Sequence, residues 1–251
     1  MYYYIFEPPL EAKEYERTTQ IKELLSSLGI AGEMTNPTPG RTVEDLVELA
    51  VAKRYSTIIA VGNTELINRV ARALEPHDVV FGIIPLSENK DISNLIGLAD
   101  WKSAAEHLKR RRWQPVRIGL INKEIGFITP ATINLPTLSN YEIITPDYTL
   151  SGQGGTITIT PLRGNENDTH SSFLLEMDNE QPVKTGFLSS LFSKPTNIPQ
   201  KSQLVVTELE LRTQESASVI VAGAAVCATP IFCETQGKPL KLIIAKGSST
   251  S

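Results

Sequence analysis

Two apolar runs rich in β-branched residues, each passing through a short polar loop into a helical pattern, lie close together in this chain. The first is IIAVGNTELINRVARAL, Ile58 to Leu74, and the second is VVFGIIPLSENKDISNLIGL, Val79 to Leu98. Strands that run apolar without alternation are buried on both faces, as happens when helices cover a parallel sheet on each side. Two such junctions in succession constrain the chain to an open α/β sheet. The loops of such a sheet meet at the carboxyl ends of its strands, where ligands bind.

The flanking sequence extends the pattern. Tyr2 to Phe6 reads as a first strand. Ala12 to Leu28 reads as a helix with Ile21, Leu24, Leu25 and Leu28 on one face and Gly29 as its stop. Thr42 is placed to cap a helix whose Val43, Leu46, Val47, Ala50 and Val51 face inward. A further helix from Trp101 to about Arg112 ends in Lys109, Arg110, Arg111 and Arg112. Cations at a helix C-terminus are favourable in themselves, and the run is also suited to phosphate or anionic lipid.

From Pro115 the texture changes to short β-rich segments separated by Gly, Pro, Asn and Ser. Arg117 to Ile121, Gly126 to Ile128, Glu142 to Thr145, Thr156 to Thr160, Ser172 to Met177, Gln203 to Leu211, Val219 to Ala228 and Leu240 to Ala245 read as strands. Ser189 to Gln200 reads as a long exposed loop. The expected architecture is an α/β N-terminal domain with a mainly parallel sheet, residues 1–114, and an all-β, sandwich-like C-terminal domain, residues 115–251.

With 251 residues the chain can bury a real core, and its 41% hydrophobic and 21% charged residues are ordinary for a globular protein. The net charge of −4 is spread over both halves, so neither resembles a nucleic-acid arm or a polybasic tether. Cys227 and Cys233 lack the framework of a disulfide-stapled domain, and MYYYIF has no basic n-region, so a cytoplasmic protein is expected, with transient contact with a membrane surface left open. Gly152-Gln153-Gly154-Gly155 lacks the Lys-Ser/Thr of a P-loop and reads as a hairpin turn. His77, His107 and His170 are scattered, the cysteines have no zinc spacing, and no Gly-x-Ser-x-Gly elbow is present.

The two junctions resemble the phosphate-site motifs of the diacylglycerol kinase and NAD kinase superfamily. There a strand ends in Gly-Gly-Asp-Gly-Thr followed by Leu-Asn-Glu; here the stretch is Val61-Gly62-Asn63-Thr64-Glu65-Leu66-Ile67-Asn68-Arg69. Matching from the strand places Asn63 at the Asp, whereas matching from the helix preserves Asn68 and Val70. The second motif, Gly-Ile-Ile-Pro-Leu-Gly-Thr-Gly-Asn-Asp, aligns without gaps onto Gly82 to Asp91, with Ser87 and Asn89 in place of two glycines. The family's Asn-Pro-x-Ser-Gly element becomes Glu7-Pro8-Pro9-Leu10-Glu11, and Val116 to Asn122 resembles its crossing into the β domain.

That resemblance implies ATP-dependent phosphoryl transfer to a lipid hydroxyl with Mg²⁺, and a nucleotide site at Gly62, Asn63, Thr64, Pro85, Ser87, Glu88 and Asp91. Glycines in such loops let backbone N–H groups close around phosphate oxygens, and the helix that follows adds favourable potential. Added carboxylates oppose this, because one placed about 4 Å from a phosphate oxygen costs on the order of 4 kcal/mol at an effective dielectric of 20. Glu65 and Glu88 would either repel phosphate or hold a bridging Mg²⁺, and Lys90 would pair with phosphate as a point charge. The family's catalytic Asp-Gly has no counterpart at the expected offset, where Asp168 is the nearest acid. Glu234 falls where the family carries Asp-Gly-Glu near its last strands, and otherwise reads as a hairpin surface residue. Two further readings stand beside the kinase: a catalytically inactive homologue binding nucleotide or lipid, or acting as a regulator, and an NAD kinase-like enzyme.

Overall fold

The computed structural model describes residues 1–162, 172–182 and 197–245. Its first part is β1 (Tyr2–Phe6), α1 (Ala12–Ser27), β2 (Glu33–Thr35), α2 (Val43–Ala52), β3 (Thr57–Gly62), α3 (Thr64–Leu74), β4 (Val80–Pro85), α4 (Lys90–Ile96) and α5 (Trp101–Leu108). β1 pairs in parallel with β2 and β3, and β3 with β4. The period of two along the strands divides their side chains between two cores. Tyr3, Ile5, Ile58, Ala60, Phe81 and Ile83 meet α2 and α3 on one face. Tyr4, Phe6, Ile59, Val61 and Ile84 meet Ile21 and Leu25 of α1 and Ala105 and Leu108 of α5 on the other.

Local chemistry sets the helix ends. Thr42 and Asp45 form a reciprocal capping box at α2, and Asn63, Asn89 and Asp100 cap α3, α4 and α5. Gly29 takes a left-handed φ of 70° after α1. Arg54, just past the cap of α2, and Arg111, two residues past that of α5, take the same conformation with φ of 59° and 48°. A left-handed residue other than glycine costs about 1–2 kcal/mol, more than the ~0.3–1 kcal/mol a cation gains at a helix C-terminus. The helix dipole therefore does not account for arginine at these positions.

The second part consists of β5 (Trp113–Ile121), β6 (Ile125–Phe127), β7 (Ala131–Ile144), β8 (Thr149–Pro161), β9 (Phe173–Pro182), β10 (Asn197–Val206), β11 (Leu209–Thr213), β12 (Ser218–Val221), β13 (Ala224–Ala228) and β14 (Ile231–Ile243). Antiparallel pairing joins β11, β7, β8, β9 and β10 in that order, and their inward residues enclose a separate core that includes Phe127, Ile133, Ile157, Phe173, Leu211 and Val219. β14 links the two parts. Its first residues pair with β11, whereas Lys241 and Leu242 pair in parallel with Val80 and Phe81 of β4. Leu240, Leu242 and Ile244 thereby enter the core of the α/β sheet.

Several strand expectations change. Val219 to Ala228 is two strands, because Ala222 and Gly223 at φ of 57° and 79° make a tight turn inside the apolar run. Gln203 to Leu211 is divided between β10 and β11, and residues 197–200, expected in a loop, begin β10. Gly152 to Gly155 is no hairpin turn but lies within β8, opposite an irregularity in β7 between Leu135 and Asn140. Glu142 to Thr145 is the end of the much longer β7. α5 stops at Leu108, short of the basic run. Among the described residues no helix is long and apolar enough to cross a membrane.

Candidate functional site

β3 and β4 end side by side, with Gly62 opposite Pro85 and the Leu86 N–H bonded to the Gly62 carbonyl at 3.2 Å. Asn63 alone separates β3 from α3. Its side-chain oxygen accepts the Leu66 N–H at 3.0 Å, so the junction is a capped helix start rather than an open loop of glycines. Asn89 does the same for α4, accepting the Ile92 N–H at 3.0 Å, while its amide donates to the Thr64 hydroxyl at 3.1 Å and ties the two junctions together.

An internal carboxylate occupies the first junction. Glu7, immediately after β1, accepts the Asn63 backbone N–H at 2.5 Å and a further hydrogen bond from the Asn63 side-chain amide. A Cβ at Gly62 would stand 2.9 Å from Glu7 Oε2 and 2.6 Å from Leu66 Cδ2, so the absence of a side chain there is what admits the carboxylate. Burial pushes the Glu7 carboxyl above its usual range, the Glu14 and Glu65 charges push it further, and its two bonds from Asn63 pull it back only partly.

The candidate residues do not share one cavity. Gly62 and Pro85 are buried strand ends, Asn63 is an exposed cap, and Thr64 is buried in the first turn of α3. Ser87 and Glu88 are exposed and line a cleft of about 460 Å³ with Glu11, Lys13, Glu14 and Arg17, in which the Arg17 guanidinium donates to the Leu86 carbonyl at 3.3 Å. Asp91 lines a different cleft of about 410 Å³, between α4 and the faces of β7, β8 and β9, with Thr132, Thr158, Thr160 and Glu176. Glu65 lines a third, of about 400 Å³, between α3 and the β12–β13 hairpin. Lys90 is exposed at the start of α4. Asp168 lies outside the described residues. Glu234 sits within β14 rather than on a hairpin surface, paired opposite Leu120, with Oε1 buried and unbonded.

Sequence reading missed two features of the site. Asn68, 5% exposed, accepts the Ile128 N–H at 3.0 Å and donates to the Thr129 hydroxyl at 3.0 Å, so this helix-side match to Leu-Asn-Glu clamps α3 to the segment between β6 and β7. The other is the Ala222-Gly223 turn. Two successive left-handed residues make the hairpin turn that favours Asn-Gly or Asp-Gly. The turn reads Ala222-Gly223-Ala224. Ala222 and Ala224 line the third cleft with Glu65, Asn68 and Glu124. The signal was the Gly inside an apolar run, which marks a bend. Among the described residues no three His, Cys, Asp or Glu side chains gather closely enough to hold a metal ion.

No protein-family model and no curated protein matches the sequence. Solved structures do. A diacylglycerol kinase from Bacillus anthracis str. Sterne superimposes with a TM-score of 0.70 at 13% identity, covering 98% of each chain. Another protein of that organism, provisionally named as a diacylglycerol kinase, gives a TM-score of 0.73 at 13% identity, covering 98% of this chain and 96% of that one. Yeast NADH kinase, solved with NADH, gives a TM-score of 0.50 at 10% identity over 99% of this chain and 84% of its own. The parallel α/β sheet, the antiparallel second part and the strand that returns from one to the other are thus the fold these diacylglycerol kinase structures share.

Proposed function

We propose that this chain uses the diacylglycerol kinase fold as a binding or regulatory protein and does not transfer phosphoryl groups. The observation that carries the reading is the Glu7 carboxylate on the Asn63 N–H. A helix N-terminus beside a strand end is where phosphate oxygens are held in such folds, and here a side chain of the same charge sign already satisfies the donor. At this junction the charges of Glu7, Glu14 and Glu65 surround the Asn63 donor and oppose the approach of a phosphate oxygen.

A second reading, ATP-dependent phosphorylation of a lipid hydroxyl, is favoured by the cleft lined by Asp91, Glu176, Thr132, Thr158 and Thr160. A thermal-unfolding titration separates the two. A ligand at a hundredfold excess over its Kd stabilises a folded protein by about 2.7 kcal/mol, or about 5–10 °C in a chain of this size. The expected result is no Mg²⁺-dependent rise with millimolar ATP or ADP. A saturable rise that needs both metal and nucleotide, or transfer of labelled γ-phosphate to a lipid hydroxyl, overturns the proposal.

A further inference from the structure

The fold gathers cations that lie far apart in sequence. Arg54 follows α2 and Lys109 to Arg112 follow α5, and the Arg111 guanidinium bridges the groups by donating to the Ser56 hydroxyl at 3.3 Å and the Ser56 carbonyl at 3.4 Å, just before β3 begins. All five side chains are exposed. Lys53 and Lys241 beside them are paired with Glu33 and Asp78, whereas Arg54, Lys109, Arg110 and Arg112 form no ion pair among the described residues. Arg54 and Arg111 also hold left-handed conformations that glycine would adopt without strain, so helix termination alone does not call for arginine at either position.

We infer that this basic plate docks the protein on an anionic phospholipid surface. None of the clefts described above is lined by these five residues, and a bilayer presents the broad sheet of negative charge that an exposed group of five cations complements. Tyr2 and Trp113 lie at its edge, each with a cation over its ring, Arg111 at 5.9 Å and Lys241 at 5.3 Å. Rings covered in this way are not free to stack on bases, while amphipathic rings beside cations suit the headgroup level of a membrane. The orientation has a consequence. β3 spans six residues, so about 20 Å of sheet separates the plate from the β3–α3 and β4–α4 junctions, which point away from the bilayer when the plate is down. The docked chain therefore offers those junctions to solutes rather than to lipid headgroups, whether or not it binds nucleotide.

Vesicle sedimentation tests the assignment with the full chain, phosphatidylcholine vesicles and vesicles carrying phosphatidylserine, at low and high salt. The expected result is binding to the anionic vesicles alone, weakened by salt, with affinity falling about fivefold for each cation removed and on the order of a hundredfold in the triple variant Arg54→Gly, Arg110→Gln, Arg112→Gln. Arg54→Gly relieves backbone strain and the other two positions are exposed, so the melting midpoint of the triple variant is unchanged or raised, and loss of binding is not loss of fold. Equal binding to neutral vesicles, undiminished binding by the folded triple variant, or binding to a duplex oligonucleotide without binding to anionic vesicles overturns the inference.

Discussion

Replacing Asn68 by Ala tests whether the two parts of the molecule are joined by a sealed polar clamp. Asn68 is 5% exposed and Thr129 is fully buried. The substitution strands the Ile128 N–H, which has Asn68 Oδ1 at 3.0 Å, and removes the donor from the Thr129 hydroxyl. A buried group left without its partner costs about 1–3 kcal/mol. The backbone N–H cannot turn elsewhere and bears most of that cost, while the hydroxyl can rotate, so the total is about 3 kcal/mol. In urea, with a slope of about 3 kcal/mol/M, the unfolding midpoint falls by about 1 M. Thr129→Val in the same background completes a double-mutant cycle, and the directly bonded pair should couple by about 0.5–3 kcal/mol. A loss below about 1 kcal/mol for Asn68→Ala, or additive losses in the cycle, would show that water reaches the clamp and refute the reasoning.

Other substitutions probe the candidate site. Glu7 has a carboxyl raised chiefly by burial, so the folded state holds its proton more tightly than the unfolded state. The stability this provides is fully present below the ordinary carboxylate pKa and is lost as pH rises through the raised one. Compared with Glu7→Gln by urea unfolding, the parent should therefore gain relative stability as pH is lowered from neutrality; a flat or opposite trend would count against the half-buried, anion-crowded carboxylate. Gly62→Ala places a Cβ 2.6 Å from Leu66 Cδ2 and 2.9 Å from Glu7 Oε2, and a loss of about 1–3 kcal/mol in denaturant is expected, with less than ~0.5 kcal/mol arguing that Glu7 is not seated there. Ala222→Asp puts a residue that tolerates left-handed φ at 57°, and should stabilise the hairpin by up to about 1 kcal/mol; a lower melting midpoint would contradict the turn geometry.

The α/β part was legible because its signals are local. The unbroken apolar runs of β3 and β4 mark doubly covered strands, and Thr42 stands at the α2 terminus it caps. In the second part the punctuation misleads. Ala222 is an apolar residue in a turn, so β12 and β13 read as one strand, and the glycines at 152, 154 and 155 lie within β8 opposite the irregularity in β7 instead of marking its end. The return of β14 to pair with β4 depends on residues about 160 positions apart, which no window along the chain can register. The site divides the same way. Its motifs place Gly62 and Asn63 at the β3–α3 junction and Asp91 in the first turn of α4, but Glu7 and Asn63 are joined across 56 positions, and the altered Asn-Pro-x-Ser-Gly element reveals only a lost turn, not where its carboxylate goes.

That carboxylate changes how the phosphate junction behaves, because it acts as a built-in competing anion. A phosphate oxygen brought to the Asn63 N–H would meet Glu7 at near contact, and repulsion on the order of 4 kcal/mol at 4 Å and an effective dielectric of 20 exceeds the roughly 1.5–3 kcal/mol that one charge-assisted hydrogen bond provides. Protonation removes the charge, and the environment already favours the proton through burial and through Glu14 and Glu65. Any anion that does reach the junction should therefore bind with uptake of a proton and more tightly as pH falls. An authentic phosphate cradle has the opposite slope over the acidic range, since protonating the phosphate weakens its hold. Measured with inorganic phosphate or a nucleotide on the parent and on Glu7→Gln, the sign of that slope separates a cradle that has been closed from one that is merely short of glycine: only in the first does removing the charge at residue 7 both raise the affinity and abolish the preference for low pH.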